Sequence, residues 1–146
     1  MGDIGSEPAY GRRLIPQIMD QLARNQPDQI VFSIAKPSDA GLELRDISAH
    51  AFAKAVDKTA WWLRQQVGES SSVRPVGYIG PHDLRHILIT YACVKVGYAA
   101  LYLSPKNSTE GALSVLEATE CDIWAKAREV EAAPLVKDIL EKRPMK

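Results

Sequence analysis

VGYIGPHDLRHILITYACVKVGYAALYLSP, residues 76–105, reads as a strand, a helix and a strand in immediate succession. Val76-Gly77-Tyr78-Ile79-Gly80 is short and apolar, the composition of a buried strand. Pro81-His82-Asp83 opens a helix whose residues Leu84, Ile87, Leu88, Tyr91, Ala92, Val94 and Val96 are apolar almost all round. Such a helix is expected to be largely buried. Gly97 ends it, and residues 99–103 form a second short apolar strand. Two strands separated by a helix pair in parallel, because the helix supplies the crossover that parallel pairing needs. The alternation continues with Pro105-Lys106-Asn107-Ser108 leading into a helix over about 109–119, a strand over 122–125 and a helix over 132–142. Helices packed on a parallel sheet follow, an α/β arrangement. The series stops after a helix, at Arg143-Pro144-Met145-Lys146, where the pattern next supplies a strand.

Toward the N-terminus the periodicity changes. Residues 1–12 contain Gly2, Gly5, Pro8 and Gly11 without a repeat, which predicts a flexible arm. Leu14, Ile15, Ile18, Met19 and Leu22 recur at three- and four-residue steps and mark one face of a helix. Pro27 ends it by biasing Gln26 away from helical backbone. Residues 29–35 are rich in Ile, Val and Phe, residues 36–41 are turn chemistry, and residues 42–47 alternate apolar and polar. A β-hairpin with a loop of moderate length and a half-buried second strand is predicted. Ser48 is the expected N-cap of a long helix with Phe52, Ala55, Val56, Thr59, Ala60, Leu63 and Val67 on its inner face, closed by Gly68.

The chain has 146 residues, 46% of them hydrophobic and 25% charged, which suits one globular domain and excludes a disordered one. Lys+Arg 18 balances Asp+Glu 18, which removes the bulk electrostatic case for nucleic acid or an anionic membrane as partner. No apolar run reaches the ~18–20 residues of a membrane span, and the start is not a secretory signal. Gly2 and Ser6 fit the loose pattern of a myristoylation signal, but the pattern is short. Cys93 and Cys121 sit among apolar residues, as buried thiols in a reducing cytoplasm do. The expected location is cytoplasmic.

Motif chemistry alone names no reaction. His82 and His86 stand four residues apart, as zinc-binding histidines do on a helix. The acid between them is Asp83 rather than Glu, His82 lies at a helix boundary, and His50 belongs to another helix. A capped helix start is the simpler reading. Gly77-Tyr78-Ile79-Gly80-Pro81 joins strand to helix but matches neither nucleotide-binding glycine pattern, and Pro81 removes a donor from any phosphate cradle. Cys93 lies mid-helix with no neighbouring base. Trp61-Trp62 and the tyrosines Tyr98 and Tyr102 could stack bases, but no basic stripe accompanies them, so packing is expected.

The ordered series as a whole resembles a known family. Leu42-Glu43-Leu44-Arg45-Asp46-Ile47-Ser48, with the helix reaching Trp61-Trp62-Leu63, resembles the first core motif of adenylation (AMP-binding) domains. Val94-Lys95-Val96-Gly97-Tyr98-Ala99-Ala100-Leu101-Tyr102-Leu103-Ser104-Pro105 resembles the second. Tyr98 and Ser104-Pro105-Lys106-Asn107-Ser108 depart from the usual pattern in the manner of fungal NRPS-like adenylate-forming reductases. Glu110-Gly111 and Leu116-Glu117-Ala118-Thr119-Glu120-Cys121 follow in the matching order. The resemblance covers about residues 13–146.

The resemblance implies an α/β fold: the N-terminal portion of the large subdomain of an adenylate-forming enzyme, a β-hairpin followed by strand-helix crossover units, with an incomplete sheet. Such enzymes are ATP-dependent ligases, and the NRPS-like members that this chain resembles imply a role in secondary metabolism. They join a carboxylic acid to AMP as an acyl adenylate, using Mg-ATP, and pass the acyl group to a carrier phosphopantetheine. Reductase members release it with NADPH. The family's phosphate loop, hinge Asp and catalytic Lys match no stretch of this chain. No catalytic, cofactor-binding or metal-binding residue is therefore carried over, and no cofactor is expected in this chain. The resemblance implies a truncated fragment, inactive alone, with the remainder of a synthase as its partner. The alternatives are a non-catalytic α/β module of the same ancestry that binds a partner protein, and an unrelated small α/β binding domain whose motifs coincide.

Overall fold

The computed structural model describes residues 11–39, 41–81, 83–128 and 133–146. The first ten residues, with most of the predicted arm and the Gly2/Ser6 pattern, lie outside the described residues, as does His82. Contacts divide the chain into two compact units, Met1–Ala53 and Lys54–Lys146.

In the first unit, α1 (Ile15–Asn25) starts with Pro16 in its first turn, where the missing N–H costs nothing. The Gln17 side chain accepts from the Leu14 N–H at 2.9 Å. Strands β1 (Ile30–Ser38) and β2 (Gly41–Ser48) pair antiparallel, with Ser38 opposite Gly41. The strands run further than the sequence suggests. Residues 36–38 read as turn chemistry, but Lys36 and Pro37 are in the ladder, and only two residues separate the strands. A two-stranded ribbon is all edge, so Pro37 is tolerated there. The expected half-buried β2 is also corrected: residues 41–46 are exposed, with Leu42 at 79% and Leu44 at 70%. An alternating pattern buries its apolar set only when something packs on that face. Near the other end of the hairpin, the Phe32 and Phe52 rings pack at 4.8 Å.

Helix α2 (Ala49–Val67) begins as expected, with the Ala51 N–H donating to Ser48 Oγ at 3.3 Å. Ala49, Phe52, Ala53, Val56, Ala60 and Leu63 are its buried residues.

The second unit holds a three-stranded parallel sheet in the order β4-β3-β5, from β3 (Arg74–Ile79), β4 (Tyr98–Tyr102) and β5 (Ile123–Lys126). Helices α3 (Leu84–Val96), α4 (Thr109–Ala118) and α5 (Pro134–Lys142) follow the strands in turn. Alternate side chains define two faces. Val76, Tyr78, Tyr98, Ile123 and Ala125 cluster with Leu63, Ile89 and Cys93 from α2 and α3. Leu103 and Cys121, with Leu101 and Trp124 against them, cluster with Ala112, Leu116 and Ile139 from α4 and α5. Helix α3 is less buried than its composition suggests: only Ile89, Ala92 and Cys93 are fully buried. It lies on one face of the sheet, so its far side is only partly covered.

Candidate functional site

Strand β3 is central, and the chain leaves it in one direction through α3 to β4, then crosses back to β5 on the other side. The turns after β3 and β5 therefore diverge to opposite faces of the sheet. In open α/β sheets such a divergence leaves a crevice at the carboxyl ends of the strands, where ligands bind. Here a cavity of about 250 Å³ occupies that place. Its walls are Thr59 and Trp62 of α2, Tyr78 of β3, Arg85, Leu88 and Ile89 of α3, and Ala125, Lys126, Ala127 and Arg128 at and beyond the end of β5.

Local structure fixes these side chains. Asp83 caps α3, accepting from the Arg85 N–H at 2.9 Å. The same carboxylate takes the Arg85 guanidinium at 2.6–3.0 Å. That hydrogen-bonded guanidinium holds the Asp83 pKa below its ordinary value. Gly80 is required beside it: a Cβ there would meet Tyr78 Oη at 2.2 Å and Cζ at 2.6 Å. Tyr78 is buried, and its ring meets His86 edge-on at 5.0 Å and Tyr102 edge-on at 6.1 Å. His86 also stacks on Tyr102 at 5.1 Å. The Tyr102 hydroxyl donates to the His86 carbonyl at 2.5 Å and lies 2.5 Å from Thr90 Oγ1. Desolvation raises the Tyr102 pKa. The crevice thus has an aromatic wall from Trp62 and Tyr78, and the cationic side chains among its lining include Arg85, which is already paired with Asp83. Among the described residues that line it there is no nucleophile–base pair.

The residues singled out from sequence fall as follows. His86 is packed between aromatic rings, and His50 is exposed at the start of α2. Among the described residues, no group of three or more His, Cys, Asp or Glu is placed to hold a metal. Burial pushes the Cys93 thiol up to about 12 and raises Cys121 as well, so both are protonated and inert near neutral pH. Gly77 sits against Trp124 and Cys121 Sγ, where a Cβ would come within 3.2–3.3 Å, which makes it a packing glycine. The aromatic pairs are split apart. Tyr98 is buried, its hydroxyl donating to the Val67 and Gly68 carbonyls at 3.2 and 3.3 Å, whereas Trp61 is exposed. Trp62, Arg85, Lys126 and Arg128 were not legible as a group. Their signal is positional: each of the last three lies at or after a strand end in an α/β alternation.

No family model matches the chain. The chain is 69% identical over 136 residues to the isocyanide synthase-NRPS hybrid crmA of Aspergillus fumigatus, which covers 93% of this chain and 9% of that protein. It is 33% identical over 118 residues to a carboxylic acid reductase of Neurospora crassa, covering 80% of this chain and 11% of the other. Among solved structures, the O-succinylbenzoate coenzyme A synthetase of Bacillus subtilis matches with a TM-score of 0.68 at 16% identity. That match covers 88% of this chain and 31% of the synthetase. The adenylation domain of a carboxylate reductase from Mycobacterium chelonae matches at 0.64 and 15%, covering 89% and 22%. The fold is that of the N-terminal part of an adenylation domain. The chain spans about a tenth of the curated relatives it matches. Among the described residues, no helix is long and apolar enough to cross a membrane.

Proposed function

We propose that this chain is the opening segment of an NRPS-like, ATP-dependent carboxylate-activating domain of secondary metabolism, working in the cytoplasm and inactive alone. The observation that carries the reading is the 69% identity over 136 residues to one stretch of an NRPS hybrid. Adenylyl transfer depends on donors and a metal ion positioned around the phosphates. The residues here do not fit Mg-ATP: the β3–α3 turn carries Pro81 in place of a donor, and no acidic cluster stands among the described residues. ATP, magnesium, phosphopantetheine and NADPH would be handled by other parts of such a synthase, and no reaction step is assigned to this chain.

The test is a transplant. This chain replaces the matching stretch of the Aspergillus fumigatus hybrid, and carboxylate-dependent exchange of pyrophosphate into ATP is measured. The chimera is expected to retain the exchange of the unaltered hybrid, and the isolated chain to show none. A soluble chimera without exchange, or robust exchange by the isolated chain, would overturn the reading.

A further inference from the structure

Two consecutive tryptophans stand on the outer side of α2. Trp61 is 65% and Trp62 45% exposed, while the inner side of the same helix is closed by Val56, Ala60 and Leu63. Tryptophan carries a large, rigid apolar surface and is enriched among the residues that dominate protein–protein binding. Consecutive positions lie about 100° apart around a helix, so the pair covers a wider arc than either ring alone. Trp62 forms part of the crevice wall and Trp61 lies outside it.

The charge around the pair is one-sided. Lys58 precedes the tryptophans by three and four residues, which puts it on their side of α2, and the crevice wall adds Arg85 and Arg128. The nearby carboxylates each hold a cation already: Asp57 takes Lys95 at 2.5 Å, Glu69 takes Arg64 at 2.9 Å and Asp83 takes Arg85 at 2.6 Å. Among the described residues this leaves Lys58 and Arg128 beyond those pairs, on a chain whose formal charge is +0. The crevice itself, at about 250 Å³, is smaller than the ~300–1,000 Å³ of a small-molecule or cofactor site and suits one large side chain.

We infer that Trp61, Trp62 and the crevice beside them form a docking surface for a partner protein that presents an acidic, amphipathic helix. One large apolar side chain of that helix enters the crevice, its neighbours three and four residues away lie on the tryptophan rings, and its carboxylates face Lys58 and Arg128. A lipid surface fits less well, because the apolar face of α2 is already buried in the core and only two rings remain to enter a bilayer. A nucleic acid fits less well, because two cations outside existing pairs are too few to track a phosphate backbone. The inference concerns a surface and holds whether or not the carboxylate-activating reading does.

The experiment titrates the full chain into a fluorescently labelled helical peptide of Glu and Ala that carries Leu and Phe at three- and four-residue steps, and follows anisotropy. A Kd on the order of 10 μM is expected at low salt, weakening as salt is raised because the paired charges are exposed. Replacing the peptide's Glu by Lys, or its Leu and Phe by Ser, should each weaken binding by about tenfold or more. In the protein, Trp61→Ser with Trp62→Ser should weaken it by about thirtyfold, and Trp61→Phe with Trp62→Phe should keep most of the affinity. Lys58→Glu and Arg128→Glu, both at exposed positions, should each weaken it by about fivefold, and they keep the test decisive if the serine pair fails to fold. No binding of the acidic peptide at about 1 mM, equal binding of its Lys counterpart, or charge variants that bind as the parent does would overturn the inference. Phosphatidylserine vesicles or a single-stranded oligonucleotide that bind through the same two tryptophans, where the peptide does not, would reject a protein partner and assign the surface to that other class.

Discussion

At Gly80 the space for a side chain is already filled by a tyrosine. An added Cβ would lie inside van der Waals contact with the Tyr78 hydroxyl, and Tyr78 is held by the His86 and Tyr102 rings, so it cannot swing away freely. Gly80→Ala is expected to cost ~1–3 kcal/mol, the usual range for overpacking, in urea denaturation. Adding Tyr78→Phe should restore part of that loss, and no restoration would place the strain elsewhere. Cys93 carries a second expectation. Its folded pKa of about 12 lies above the ordinary 9.0, so the native state keeps a proton that the unfolded state releases. The corresponding stability is present below pH 9 and is lost as pH rises from there toward 12. Tyr91 and Tyr102, also raised by burial, add to the alkaline loss at higher pH. Cys93→Ala should therefore flatten the fall in melting temperature between about pH 9 and 11. An unchanged slope would show that Cys93 is not the group responsible. At this scale the sequence is most legible at helix caps. Gly97 sits at φ +83 at the end of α3, a left-handed cap that only a glycine takes without strain, and Ser48, Asp83 and Ser108 cap the helices that follow them.

Among the elements, the parallel order of the second unit was legible because its strands are separated by helices, which leaves few topologies open. The crevice was not, because Trp62, Arg85, Lys126 and Arg128 lie on α2, α3, β5 and the segment beyond β5, and nothing local in the sequence ties them together. The hairpin shows the opposite limit. The alternation in β2 is real as a pattern but leaves its apolar set exposed, since a pattern records which face could be covered and not whether anything covers it. The start of α3 offers a test that separates charge from capping. Asp83 both caps the helix and accepts from Arg85, and its lowered pKa means that its contribution is present above about pH 4 and is lost as pH falls through the folded value. Asp83→Ala should destabilise by ~0.5–2 kcal/mol, the cost of losing a cap, whereas Asp83→Asn should keep most of the cap and lose the acid dependence. A melt of Asp83→Asn that still weakens in parallel with the parent below pH 4 would assign that dependence to other groups.

On the scale of the whole molecule, the question is how much apolar surface this chain leaves in water. Leu14, Ile15, Ile18, Leu42 and Leu44 of the first unit, and Trp61, Trp62 and Val73 of the second, are exposed. Scattered exposure is ordinary, but Leu42 and Leu44 stand on the same face of one strand, two residues apart. Each large side chain left in water forgoes ~1.5–3 kcal/mol of burial, against a domain stability of ~5–15 kcal/mol. A two-stranded ribbon also presents open backbone edges, a template for pairing with other chains. Untagged protein is therefore expected to show a light-scattering mass that rises with concentration. Leu42→Glu with Leu44→Glu should shift it toward the monomer. The same pair should change stability by less than ~0.5 kcal/mol per site, because side chains 79% and 70% exposed have little packing to lose. Two results would count against this account. One is a monomer at all concentrations with a cooperative melt above ~60 °C, typical of a self-sufficient domain. The other is a double variant that unfolds rather than dissociates, which would mean that the β2 face is covered in solution and that its leucines belong to a core.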